Sequence, residues 1–167
     1  MLIGTKLNDA MNQQIVNELG ASSQYVKIAS YFAGESLPVL AAFFFRQSEE
    51  EREHALKFVH YILETGGDVQ LGPIVGAPES ISSAEEALQL ALDWELEVTD
   101  QINQLMQIAI DEKDFIGQEF LRWFVNEQLE EVSTMDELLT VIRRAGENLF
   151  HVENYLARRG DPHTEEE

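Results

Sequence analysis

Cysteine is absent from the 167-residue chain, which excludes disulfides, thiolate catalysis, iron–sulfur clusters and zinc–thiolate sites. Basic residues are scarce: 11 Lys and Arg stand against 31 Asp and Glu, a formal charge of −20. Such a balance attracts cations and argues against nucleic acid or an anionic membrane as a partner held through a broad basic face. It also aids solubility, whatever the protein binds. No run approaches the roughly 18 apolar residues of a membrane span. The start, Met1-Leu2-Ile3-Gly4-Thr5-Lys6, has no apolar signal core, so the expected compartment is the cytoplasm. What remains, 44% hydrophobic and 25% charged, is ordinary for a single globular domain spanning 1–167.

Apolar residues recur at spacings of three and four in four long segments, the mark of amphipathic helices. The first runs from about Asn8 to Glu35, with an inner stripe of Ile15, Glu18, Ser22, Tyr25, Ala29 and Phe32. Pro38 is placed to open a second helix. Its stripe is Leu40, Phe44, Gln47, Glu51, His54, Phe58 and Tyr61 or Ile62, and Gly66-Gly67 is a plausible stop. Ser82 and Ser83, each followed three residues on by a glutamate, offer two capping-box starts for a third helix. That helix carries Leu88, Ala91, Glu95, Val98, Ile102, Leu105 and Ala109. Lys113-Asp114 marks a turn, and a fourth helix from about Phe115 to Ala145 carries Phe120, Phe124, Gln128, Glu131, Met135, Leu138 and Ile142. A short last helix over about 147–158 is marginal alone and is expected to dock on the bundle or on a neighbouring subunit. Residues 159–167 form an acidic tail.

Between Gly67 and Ser82, Gly72-Pro73, Gly76 and Pro78 break any periodicity. About 16 residues at roughly 3.3 Å each reach about 50 Å, against about 42 Å for a helix of about 28 residues. The segment can therefore run the length of a bundle over about 8–145 and start the third helix where the second began. The expected fold is all-α, a four-helix bundle with one long crossover between the second and third helices and a short fifth helix.

Each of the four stripes is broken near its middle by a carboxylate. A buried carboxylate is costly unless it is paired, hydrogen-bonded or bound to a metal. One glutamate at an inward position is ordinarily a boundary residue or a salt-bridge partner; four near the middle of neighbouring helices converge on one point. Glu51-x-x-His54 also stacks a carboxylate and an imidazole on one helix face. Oxygen-rich ligands with a little imidazole suit iron or manganese. Four carboxylates outnumber the charge of one divalent ion, so two metals with Glu51 bridging make better electrostatic sense. Two irons in such a cage would give redox chemistry with dioxygen or peroxide. Glu50, Glu127 and Glu130 each neighbour an inward residue; they either line the outer edge of the site or form a solvated acidic face. Tyr25, on the face of Glu18, is a hydrogen-bond partner or electron donor to the site, or a tyrosine packed in the core. Trp123, His60 and His151 have no role assignable from spacing and are read as structural.

Glu18, Glu51-x-x-His54, Glu95 and Gln128-x-x-Glu131 on four helices, with Tyr25 and Trp123, resemble the non-haem bacterial ferritins, and nearly the whole chain takes part. The likeness is strongest in Gly20-Ala21-Ser22-Ser23-Gln24-Tyr25, Asn126-Glu127-Gln128-Leu129-Glu130-Glu131 and Arg144-Ala145-Gly146-Glu147-Asn148-Leu149-Phe150, which resemble the ferritin B type. The resemblance implies a ferritin-like bundle with a ferroxidase centre. One iron would be held by Glu18, Glu51 and His54 and the other by Glu51, Glu95 and Glu131, with Gln128 close by and Tyr25 supporting the chemistry. Glu50, Glu127 and Glu130, with Glu131, match a third iron site. The family further implies a closed shell of twenty-four copies with a mineral cavity, and Phe43-Phe44-Phe45, covering more than one helix face, supports assembly independently. Bacterioferritins bind haem through a methionine after the bridging glutamate; here that residue is Arg52, so no haem is expected. The implied function is iron storage with oxidation of Fe(II) by dioxygen or peroxide. A di-iron oxidase or peroxidase that stores no mineral fits the same ligands. A metal-free structural bundle is the other alternative, although few basic residues lie on the inner stripes to pair with the acids.

Overall fold

The computed structural model describes residues 2–78 and 80–159; of the expected acidic tail, 160–167 lie outside the described residues. Five helices follow one another: α1 (Thr5–Gly34), α2 (Pro38–Glu64), α3 (Ala84–Asp111), α4 (Phe115–Ala145) and α5 (Phe150–Arg159). The bundle is the expected one, with small shifts at the ends. α1 begins three residues before Asn8, and α5 spans 150–159 rather than 147–158. Gly146, at φ 57°, and the turn after it set α4 and α5 apart before helical hydrogen bonding resumes.

Local chemistry explains the breaks. Pro38 occupies the first turn of α2, where its missing N–H costs nothing. Of the two serine starts for α3, Ser83 is the cap: its hydroxyl accepts from Glu86 N at 3.1 Å. The Glu86 carboxylate reaches back to Ser82 N at 2.7 Å, so the two serines divide the capping box between them. Asp114 caps α4 through Gly117 N at 2.8 Å.

α1 packs along α2 and α3 along α4, with α1 also against α3. The crossover is held to α1 by two asparagines that periodicity does not single out. Asn8 exchanges hydrogen bonds with the Asp68 backbone, its Nδ2 donating to Asp68 O at 3.1 Å and its Oδ1 accepting from Asp68 N at 3.1 Å. Asn12 Nδ2 donates to Asp68 O at 2.8 Å and Asn12 Oδ1 accepts from Gln70 N at 2.6 Å. Gly67 sits so close that a side chain there would strike the Asn8 amide. Farther along, the Val75 carbonyl passes beside Gly20 and Trp94. The segment thus climbs α1 and delivers α3 to the opposite end of the bundle. Short α5 docks on α2 and α4, burying Val152 and Leu156.

The stripes read from the sequence point inward. Of the residues named on the four long helices, all are buried except Ser22 and Phe120, which are half-buried. They form two separate apolar cores. One holds Tyr25, Phe32, Leu40, Phe44, Leu88 and Leu138; the other holds Leu7, Ile15, Phe58, Ile102, Leu121 and Phe124. Between them lies a layer of buried polar side chains. Of the Phe43–Phe45 triple, Phe43 and Phe44 are buried and Phe45 is 46% exposed.

Candidate metal centre

Every long helix sends a carboxylate into the layer between the two cores: Glu18 from α1, Glu51 from α2, Glu95 from α3 and Glu131 from α4, each 1–2% exposed. Each lies mid-helix because an apolar stripe continues above and below it, so the two cores fix its depth. Gln14, Gln47, His54 and Gln128 are buried with them. No Lys or Arg of the described residues is buried, and His54 is the one potential cation among these eight.

Glu18, Glu51 and His54 form the tightest group: one ligand atom from each lies within 4.8 Å of the others. His54 Nδ1 is 3.3 Å from Glu51 Oε2, and its Nε2 is 3.6 Å from Glu127 Oε1. Gln14 Nε2 donates to Glu18 Oε1 at 2.9 Å, which leaves Glu18 Oε2 buried with no hydrogen-bond partner. Glu131 Oε1 is likewise buried and unpartnered. Glu95 differs, since both its oxygens are taken. Oε1 accepts from the Tyr25 hydroxyl and Oε2 from Gln128 Nε2 at 3.1 Å. The Gln128 amide is shared with Glu95 O at 3.2 Å and Thr99 Oγ1 at 3.3 Å. Tyr25 is fully buried and therefore packed in the core and hydrogen-bonded to the layer at once.

The electrostatics follow from burial and crowding. Desolvation, reinforced by neighbouring carboxylates, raises Glu18, Glu51 and Glu131 above the usual carboxylate range. Burial lifts Glu95 to about 7, with the hydrogen bonds from Tyr25 and Gln128 holding it back. Burial alone would pull the His54 imidazole down, but the Glu51 and Glu127 carboxylates outweigh it and hold His54 well above its ordinary value. Tyr25 is pushed up by burial and by Glu95. Glu18 and Glu51 face each other in the layer, and the Glu51 carboxylate adds to burial in raising Glu18. The raised carboxyls and raised imidazole show how strongly the layer disfavours uncompensated negative charge; a multivalent cation would compensate it.

The edge residues fall on both sides of the surface. Glu50 and Glu127 are half-buried and Glu130 is exposed. Glu50 accepts from the Gln47 amide and raises Glu131 electrostatically, so it belongs to the rim of the same layer. His60 and His151 are solvent-exposed. Trp123 packs edge-on against His54, ring centroids 5.4 Å apart, beneath the Lys57 ammonium at 4.3 Å. It walls the imidazole from solvent. Sequence reasoning missed Gln14; its place one turn before Glu18 was a usable signal. Gln47 lies on the inner stripe of α2, and spacing alone does not show that its amide meets Glu50.

The ferritin-like domain family model matches residues 8–145. The chain is 45% identical over 157 residues to ferritin BfrB of Mycobacterium tuberculosis, covering 94% of this chain and 87% of that protein. It is 33% identical to a bacterial non-heme ferritin of Bacteroides fragilis, covering 95% and 100%. Its fold superposes on an open pore ferritin of the archaeon Archaeoglobus fulgidus with a TM-score of 0.90, at 31% identity and over 95% and 99% of the two chains. With four helices carrying one acid each into a shared layer, and with these relatives matched almost end to end, the chain belongs to the ferritin family.

Proposed function

We propose that this protein stores iron, oxidising Fe(II) to Fe(III) at the carboxylate layer and passing the product to a mineral cavity. The observation that carries this reading is the pair of buried, unpartnered carboxylate oxygens, Glu18 Oε2 and Glu131 Oε1, in a layer without lysine or arginine. Oxygen atoms left without donors in a dry core lose free energy; a cation arriving there regains it.

Ferrous iron is the substrate. The first ion is held by Glu18, Glu51 and His54, whose atoms already lie close together. The second takes Glu51 as the bridge, with Glu95 and Glu131. Glu95 must first loosen its hydrogen bond from Gln128, so the two positions differ in readiness. Binding requires deprotonated carboxylates and neutral imidazole, and protons leave as iron enters. Two ferrous ions then give up one electron each, and dioxygen takes both with two protons to become hydrogen peroxide; peroxide can serve as oxidant in turn. Glu50, Glu127 and Glu130, with Glu131, would hold a third ion at the rim of the layer. Arg52, exposed beside the bridge, offers no axial ligand, and the reading is haem-free. A homo-oligomeric shell of twenty-four copies would supply the cavity, with exposed Phe45 among the apolar side chains it would cover.

The test is to mix metal-free protein with ferrous iron in air and follow ferric absorbance, with Glu51→Ala and His54→Ala alongside. Fast oxidation by the parent, soluble iron well beyond two ions per chain and slow variants are the expected results. Fast oxidation followed by precipitation after two equivalents would leave an oxidase without storage. Equal rates in parent and variants would sink the site.

A further inference from the structure

We propose that the apolar groove between α3 and α4 is the entry site for dioxygen, separate from the acidic edge that admits iron. The inference rests on the ferroxidase reading and adds the route of its second substrate.

The groove has a volume of about 400 Å³. Its walls are Leu96 and Ile102 from α3 and Val125, Leu129 and Val132 from α4. Leu96 is 50% exposed and Leu129 75%, so its mouth is open in the single chain. Its floor includes Gln128 and Thr99. Gln128 is buried, and its amide donates to Glu95 Oε2 at 3.1 Å. One side chain, Gln128, therefore lies both in the lining of the groove and against a carboxylate of the metal layer.

Among the four long helices' surfaces near this layer, the two approaches differ in chemistry. At the edge formed by Glu50, Glu127 and Glu130, three carboxylates would draw a dication and hold its water. The α3–α4 groove has no charged side chain in its lining, only the neutral Thr99, Asn103, Asn126 and Gln128 among its apolar walls; it offers a dication no negative charge to offset the loss of its hydration shell, while an apolar diatomic gains by leaving water for hydrocarbon walls. The reaction needs one substrate of each kind. Gln128 also suits a gate, since its three contacts of 3.1–3.3 Å lie at the long end of the hydrogen-bond range. The same movement that frees Glu95 for metal would open the floor.

Two measurements on the assembled protein test this. Crystals pressurised with xenon, an apolar probe of similar size, are expected to show the gas against Ile102 and Val132. Leu129→Trp and Asn103→Trp, which place an indole across the mouth from opposite walls at exposed positions, are expected to raise the dioxygen concentration for half-maximal iron oxidation several-fold. The rate at saturating dioxygen, anaerobic ferrous binding and the rate with hydrogen peroxide should stay at the parent's values. A groove free of xenon overturns the proposal, as do two folded variants with the parent's dioxygen dependence. A parent that takes xenon into the groove but oxidises no iron overturns the ferroxidase reading and this role with it.

Discussion

Glu153 Oε1 accepts a hydrogen bond from the backbone N–H of Leu40 at 2.8 Å, and its Oε2 accepts one from Val39 at 3.0 Å. The last helix thereby caps the second, whose own cap residue, Leu37, has no side-chain acceptor. A carboxylate at a helix N-terminus satisfies orphan donors and meets the positive end of the helix dipole. Glu153→Ala is expected to cost about 1–2 kcal/mol, read by chemical denaturation, and to release α5. Glu153→Gln should recover part of the loss, because one acceptor oxygen remains.

Tyr25 and Glu95 set the second prediction. The Tyr25 hydroxyl lowers the Glu95 carboxyl, which burial has raised to about 7. In Tyr25→Phe that restraint is gone and Glu95 rises further. Zinc or ferrous binding at the half of the layer that uses Glu95 should then need a higher pH, while binding at Glu18, Glu51 and His54 keeps its pH midpoint. Calorimetric titration of metal-free protein across pH separates the two halves; an unchanged profile would show the hydroxyl to be packing alone.

The layer also predicts an unusual pH dependence for the metal-free protein. A carboxyl raised by burial holds its proton longer folded than unfolded, so its contribution to stability is present below the unfolded value of 4.5 and is lost as pH climbs through the folded value. For Glu95 that window is 4.5 to about 7. His54, also raised, loses its contribution as pH rises through its folded value, which has the same sign. Melting temperature should therefore fall between mild acid and neutrality, and Glu95→Gln should flatten the fall. Ferrous or zinc ions should reverse it, since metal replaces the protons.

Asn8 and Asn12 carry the crossover. Replacing Asn12 with alanine leaves Gln70 N without its partner and removes one donor to Asp68 O, at a cost of about 1–3 kcal/mol. Hydrogen exchange at the Gln70 amide should quicken far more than at Ile102, and proteases should cut first between residues 68 and 78.

Periodicity exposed the helices, their inward faces and the four acids, because a 3.6-residue repeat is a local property that survives in one dimension. It also yielded the crossover, since chain length bounds what a connection can span. It did not reveal that Glu153 would cap α2 or that Asn8 and Asn12 would meet Asp68. Those pairings depend on how far one element slides along another, and spacing within a single helix contains no such offset. Glu153 reads as one more acid on a short polar helix until Leu40 is brought beside it. The Gln128 bonds to Glu95 are similar: the stripe places both inside, but not which oxygen each amide finds. Nothing local in the sequence marks Trp123, a half-exposed indole, as the wall of an imidazole.

Two apolar cores with a polar disc between them have a consequence for how substitutions combine. Side chains that share no neighbour generally contribute independently, and Ile28 and Ile102, both fully buried, belong to opposite cores. Ile28→Val and Ile102→Val should each cost about 0.5–1.5 kcal/mol. In the metal-free protein the double variant should equal their sum to within about 0.5 kcal/mol. Each end of the molecule is then free to be rebuilt, by drift or by design, without consulting the other. The disc itself has no such freedom, because every one of its acids answers to the rest.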